Sequence, residues 1–202
     1  MENKIAEQKE KAEFGPVFSR LYSFFSSRSR SQRKVYSTIT EDVASFNPTS
    51  ILEMGSGPGI EAAMIAQRIP HVKITCIDPS PTMVKIANDR FTKLSINDRA
   101  VSKVGYSSDT GIEGKFDIIF CSQSLHHWEN GIQDVANLME KHMVQGTFII
   151  YESLVADSGK DNKSRHRHGM SREFAESTEV QGTVKTVKIQ DGLVTLRFTK
   201  KK

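Results

Sequence analysis

The sequence predicts a doubly wound α/β fold, a mostly parallel sheet ending in a C-terminal antiparallel hairpin and preceded by a short N-terminal helical cap. Three observations predict it. Between Ser50 and Leu154, short apolar runs alternate with stretches of helical periodicity. Those runs are nearly all apolar, as strands covered on both faces must be. Near the C-terminus two alternating runs, TVKTVKIQ and LVTLRFTK, flank Asp191-Gly192. That dipeptide signals a two-residue type I′ turn.

The elements follow in order. Residues 2–13 are a polar, partly helical lead-in. From Phe14 to Phe46 apolar residues recur at helical spacing, with a break near SSRSRS, which reads as two helices closed off by Pro48. Residues 1–48 are therefore the cap and 49–202 the main domain. ILEM is a short buried strand, and GIEAAMIAQRI is a helix with Ile60, Met64 and Ile65 toward the core. KITCI is the second strand. The next helix has clear start chemistry, with Ser80 as N-cap and Pro81 at the first helical position. Its apolar stripe is Met83, Val84, Ala87, Phe91 and Leu94. AVSKVGY is a third strand and FDIIFCS a fourth. GIQDVANLMEKHM is a helix and GTFIIYESL the fifth strand. The hairpin register pairs Ile189 with Val194 and Val187 with Leu196. Ala156 to Arg172 is a polar loop, with Ser171 capping a short helix that includes Phe174.

Composition narrows the function. The chain has 202 residues and 37% hydrophobic content, enough for one domain with a small cap. No run reaches the roughly 20 apolar residues of a membrane helix. The start, MENKIAEQKEKAEF, is charged and reads as neither a secretory signal nor an anchor, so the expected address is cytoplasmic. The two cysteines, Cys76 and Cys121, lie in strand runs. They form no disulfide framework, and no metal-ligand spacing is present. The net charge of +4 does not by itself imply nucleic acid.

The sharpest motif is Glu53-Met54-Gly55-Ser56-Gly57-Pro58-Gly59, between a strand and a helix. Glycines suit a tight turn against which a ligand lies. The loop aims backbone N–H groups at the carboxyl edge of the sheet, where open α/β sheets bind ligands. Asp78, ending the second strand, can accept both hydroxyls of a ribose. Its alternative role is to partner the following helix's N-terminus. Glu53 adds negative charge where a pyrophosphate would be repelled and a cationic amino group welcomed. Its alternative is an exposed strand end.

These residues resemble class I S-adenosylmethionine-dependent methyltransferases, of the small type 11 kind. The matching stretches are ILEMGSGPG, CIDPSPTMV, FDIIFCSQSLHHW and MVQGTFIIYES, spanning residue 51 to about 153. The resemblance implies a seven-stranded sheet with helices on both faces and S-adenosyl-L-methionine as cofactor. It implies that Gly55, Ser56 and Gly57 lie against the cofactor's methionine part and that Asp78 holds the ribose. Pro79 and Met83 would pack near the adenine, and Ser108 or Asp109 would meet its edge. Two departures stand out: GYSSDTGIEGKFD is short for the family, and the usual Gly-Gly before strand five is Gln145-Gly146. A nicotinamide dinucleotide enzyme would require glycine at position 60, which is Ile60.

Methyl transfer from a sulfonium is an in-line displacement that depends mainly on alignment. The stretch Ser122-Gln123-Ser124-Leu125-His126-His127-Trp128 follows strand four, which faces the cofactor's methyl in this topology. Ser122 joins the cofactor-binding set. His126 or His127 can serve as a base near neutral pH. The alternative is a structural His pair, with Leu125 and Trp128 packing together. Two basic clusters remain: Arg28, Arg30, Arg33 and Lys34 in the cap, and Lys163, Arg165, His166, Arg167, His168 and Arg172 after strand five. They suggest an anionic substrate. Phe24, Phe25 and Tyr36 can stack on bases but suit a core as well, so a small-molecule acceptor leads RNA. A non-catalytic cofactor-binding or partner subunit is the remaining alternative.

Overall fold

The computed structural model describes residues 30–156 and 169–201. The lead-in, the first cap helix with Phe24, Phe25 and Arg28, and the basic run 163–168 lie outside the described residues. The helices are α1 (Arg30–Ala44), α2 (Ile60–Arg68), α3 (Pro81–Lys93), α4 (Ile132–His142) and α5 (Arg172–Ser177). The strands are β1 (Ser50–Met54), β2 (Lys73–Asp78), β3 (Ala100–Val104), β4 (Ile118–Ser122), β5 (Thr147–Val155), β6 (Met170–Ser171), β7 (Thr183–Gln190) and β8 (Leu193–Lys200). They form one sheet in the order β3-β2-β1-β4-β5-β8-β7, with β6 on β5. The sheet is mostly parallel and ends antiparallel, as expected, but it has eight strands rather than seven. The extra one is β6: Met170 and Ser171 pair with Leu154 and Val155, inside a stretch the sequence reads as loop.

Packing divides the chain into two compact units. The first holds residues 30–47 and 55–106. Here β2 and β3 run parallel, Ile74 beside Ala100 through Asp78 beside Val104. Ser80 caps α3 by accepting the Met83 N–H at 3.3 Å. Met83, Ala87 and Phe91 are buried, whereas Leu94 is 40% exposed. On α2 the buried residues are Glu61, Ala62, Ala63, Ile65 and Ala66. Ile60 and Met64, expected in the core, are only half-buried. Small alanines let the helix approach its neighbours closely, with Ile65 buried beside them as expected and Ile60 and Met64 turned to the margin. Gly59 precedes α2 at φ 67°. A Cβ there would lie 2.8 Å from the Phe91 ring and 2.9 Å from Ala87.

The second unit holds residues 48–54 and 107–201. In it β1, β4 and β5 run parallel, and β5 continues antiparallel to β8. The hairpin β7–β8 has the predicted register, Ile189 beside Val194 and Val187 beside Leu196. Asp191 and Gly192 both take positive φ, 52° and 77°, as a type I′ turn requires. The core is built from Ile51, Leu52, Ile119, Phe120, Phe148, Ile149, Leu196 and Phe198, all fully buried. Ser171 caps α5 by accepting the Phe174 N–H at 3.1 Å. Among the described residues, no helix is long and apolar enough to cross a membrane.

Candidate functional site

The glycine loop and Asp78 belong to the first unit. The N–H groups of Gly55 and Ser56 both donate to the Ile77 carbonyl, at 2.8 and 3.2 Å, which ties the loop to the end of β2. Gly57 N–H donates to Asp78 Oδ2 at 2.7 Å, and Ser80 N–H donates to Oδ1 at 2.9 Å. Asp78 is only 7% exposed. Burial pushes its carboxyl above the ordinary carboxylate range, and the Ser80 and Gly57 hydrogen bonds oppose that shift. So Asp78 does partner the start of α3, and it also braces the loop. Each of its oxygens has a second lone pair for a further donor.

The loop is shaped for a ligand in two respects. Nothing lies within 4 Å of where a Gly57 side chain would stand. Ser56 Oγ is buried with no hydrogen-bond partner among the described residues. A buried hydroxyl without a partner is costly, and a ligand bearing polar groups can relieve it. These residues fit the polar, zwitterionic end of S-adenosylmethionine. Pro79 is half-buried beside Asp78 in sequence, and Met83 is 6% exposed in the first turn of α3.

The second unit carries the loop after β4. Gln123 takes φ 48°, unusual for a residue with a side chain. Its N–H donates to the Tyr151 carbonyl at 2.8 Å. Ser124 Oγ donates to the Met54 carbonyl at 3.2 Å. The loop is therefore fastened to the last residue of β1, directly ahead of Gly55 in the chain. Leu125–His127 form a single 3₁₀ turn. Leu125 N–H donates to Glu152 Oε1 at 2.9 Å, and His126 Nδ1 lies 3.2 Å from both Glu152 oxygens. Glu152 is 1% exposed. His127 is exposed, its ring tilted against that of His126 with centroids 4.1 Å apart. Trp128 packs edge-on to Phe148, centroids 6.3 Å apart, so part of it serves the core.

The remaining expected residues fall in this unit too. Ser122 is half-buried at the end of β4. Glu53, in β1, is 1% exposed, which rules out an exposed strand end. Ser108 and Asp109 are exposed, and Asp109 Oδ1 accepts the Gly111 N–H of its own turn at 3.1 Å. Their neighbour Ser107 donates instead to the buried Asp134 at 2.7 Å. Sequence reasoning missed Ser124 and Glu152. The signal for Glu152 was available, because an acid inside the apolar run FIIYESL stays buried only when it is partnered. Among the described residues no cluster of three or more acidic, His or Cys side chains has metal-binding geometry.

Comparison with known proteins places this architecture. Residues 52–149, just under half of the chain, match the family model described as a methyltransferase domain. Over that span the chain is similar to methyltransferase domains. A malonyl-[acyl-carrier protein] O-methyltransferase of Acetivibrio thermocellus is 25% identical over 122 residues, covering 59% of this chain and 41% of that protein. A tRNA1(Val) (adenine(37)-N6)-methyltransferase of Vibrio parahaemolyticus is 42% identical over 53 residues, 26% of this chain and 22% of that protein. The chain thus spans less than half the length of these curated relatives. Among solved structures, a Methanococcus maripaludis protein assigned as an S-adenosyl-L-methionine-dependent methyltransferase superposes with a TM-score of 0.75 at 19% identity. The match covers 94% of this chain and 95% of that one. A mitomycin 7-O-methyltransferase gives 0.65 at 15% identity, covering 89% and 60%. At such identities the likeness is one of fold.

Proposed function

We propose that the chain is an S-adenosylmethionine-dependent methyltransferase acting on a small molecule. The observation that carries this reading is the brace between buried Asp78 and Gly57 N–H, under a loop with open space at Gly57. Gly55, Ser56 and Gly57 would hold the methionine end, with Glu53 supplying negative charge for its ammonium group. Asp78 would take the ribose hydroxyls. Pro79 and Met83 would flank the adenine, Ser108 or Asp109 would meet its edge, and Ser122 would line the site after β4. The bound cofactor supplies a methyl group on a positively charged sulfur, already activated for displacement. The chain's task is then to align an acceptor and exclude water.

The relatives' names divide between acyl or small-molecule acceptors and tRNA. The small molecule is favoured because the Vibrio tRNA enzyme matches only a quarter of this chain. Arg172, one of the expected anion-binding residues, is engaged by Glu176 at 3.2 Å. Calorimetry with S-adenosylmethionine and NAD side by side tests the cofactor. S-adenosylmethionine should bind and NAD should not, and the reverse rejects the reading. Labelled methyl donor offered with bulk tRNA and with a small-molecule panel tests the acceptor. Label entering tRNA alone would replace the small-molecule reading with the RNA one.

A further inference from the structure

We infer that Arg90 is a positioning residue for the glycine loop: its guanidinium holds the Pro58 carbonyl and so fixes the turn from Ser56 to Gly59 that leaves open space at Gly57. For the loop's role the inference rests on the cofactor reading above. Its evidence lies wholly in the first unit.

The loop needs fixing from outside itself. Gly57 and Gly59 take positive φ, 49° and 67°, on either side of Pro58. Glycine reaches many other conformations at little cost, so ordering it is entropically expensive. Gly59 N–H closes the turn on the Ser56 carbonyl at 3.0 Å. Three N–H groups tie the first half of the loop to the end of β2, those of Gly55 and Ser56 to the Ile77 carbonyl and that of Gly57 to Asp78. The Pro58 peptide is held from the other side. Its carbonyl accepts Arg90 Nε–H at 2.8 Å, from the last turn of α3. The same helix meets Gly59 directly, through Ala87 and Phe91.

The bond is of a strong kind and is made at a cost. A hydrogen bond from an ionised donor is worth more than one between neutral groups. Arg90 is half-buried. Burial pushes its guanidinium below the ordinary range, and Tyr36 of α1 opposes that shift. The neighbouring acid, Asp89, pairs with Lys85 at 3.1 Å. Arg90 therefore spends its Nε donor, from a partly desolvated charge, on a carbonyl of the loop. The two halves of the loop are thus held by different elements, by β2 through Ile77 and Asp78 and by α3 through Arg90. Without Arg90 the Pro58 peptide is released and the turn samples other shapes. Affinity then falls by the fraction of molecules that still hold the binding shape.

Three measurements on the full chain test this. In the wild-type protein, nitrogen-resolved NMR should show an Arg90 Nε–H that exchanges with water at least about 10-fold more slowly than free arginine. An unprotected Nε–H overturns the inference whether or not any variant folds. Amide exchange without cofactor is then compared in wild type, Arg90→Met and Arg90→Lys. Methionine keeps the length and loses charge and donor. Lysine keeps both, and a single hydrogen bond does not need the guanidinium's planar fork. In Arg90→Met the Gly57 and Gly59 amides should exchange at least about 10-fold faster. The Ile69 and Ile74 amides, hydrogen-bonded elsewhere in the same unit, should stay within about twofold of wild type. Calorimetry should find S-adenosylmethionine bound at least about 10-fold more weakly by Arg90→Met and within about threefold of wild type by Arg90→Lys. Unchanged loop amides, equal acceleration at all four amides, unchanged affinity in Arg90→Met, or no recovery in Arg90→Lys overturns the inference. Failure of the wild-type protein to bind S-adenosylmethionine overturns the cofactor reading instead, and it is told apart because the exchange measurements need no cofactor.

Discussion

Gly59 meets two constraints that only glycine satisfies. Its φ of 67° is left-handed, and a Cβ would collide with Phe91 and Ala87. The left-handed backbone alone costs a side-chain-bearing residue about 1–2 kcal/mol, and crowding a packed core costs about 1–3 more. Gly59→Ala should therefore lower unfolding free energy by about 2–5 kcal/mol, read as a shifted urea midpoint. A loss below about 1 kcal/mol would mean that α3 gives way easily. Asp78 poses the corresponding question for binding. Removing a charged hydrogen-bonding partner costs about 1.5–3 kcal/mol, so Asp78→Ala should weaken S-adenosylmethionine binding by roughly 10-fold to 100-fold. Because Asp78 also braces Gly57, Asp78→Asn is the sharper variant: its carbonyl oxygen can keep one of the two backbone donors. Unchanged affinity in both variants would remove Asp78 from the cofactor site. At this scale the sequence was readable wherever one residue carries its own reason, as Ser80, Ser171 and Gly59 do. It was silent where the reason is a partner far along the chain. Nothing in YES or LHH announces that Glu152 and His126, 26 residues apart, share hydrogen bonds.

The hairpin shows why some elements are legible in full. Alternating apolar residues and a two-residue turn leave only one register that keeps Val187, Ile189, Val194 and Leu196 on a common face, and that register is the one observed. Asp191 occupies φ 52°. Asp tolerates the left-handed region, whereas a β-branched residue does not. Asp191→Val should cost about 1–2 kcal/mol, while Asp191→Gly should be near neutral; equal effects on urea midpoints would argue against the type I′ turn. Helix α2 shows the opposite case. Periodicity pointed to Ile60, Met64 and Ile65; Ile65 is buried, but Ile60 and Met64 are only half-buried, and Glu61 and three alanines complete the inward face. Helical periodicity identifies an amphipathic face without revealing how near the next layer stands. Strand β6 was unreadable for a related reason: two residues carry no period.

At the scale of the molecule, two of the described groups have shifts that share a direction and act in different pH ranges. His142 is 1% exposed, with Nδ1–H donating to the Gly114 carbonyl at 3.1 Å and Nε2 taking the Thr110 hydroxyl at 3.1 Å. Burial lowers its pKa below the ordinary 6.5; the Gly114 carbonyl opposes the shift, and Lys141 and Lys115 add to it. Asp117 is also lowered. Burial acts to raise it, but hydrogen bonds from Thr49 and Ser50, three of them at 2.7–3.0 Å, outweigh that and hold the start of β1. The signs follow from proton counting. As pH falls below about 6.5, the unfolded chain protonates its residue 142 before the folded protein does, so stability declines until the folded group titrates as well. Asp117 contributes stability that is complete above its unfolded value of about 3.9 and is lost as pH falls through its lower folded value. Two separate windows result. His142→Gln should flatten the urea midpoint between pH 7.5 and 5.5 relative to wild type and leave the decline below pH 4 intact. Asp117→Asn should do the reverse. Taking differences between variants cancels the slope from all other titrating groups. If His142→Gln follows the wild-type slope from pH 7.5 to 5.5, the buried histidine is not the source of the upper window, and the segment from Thr110 to Gly114 must be held without it.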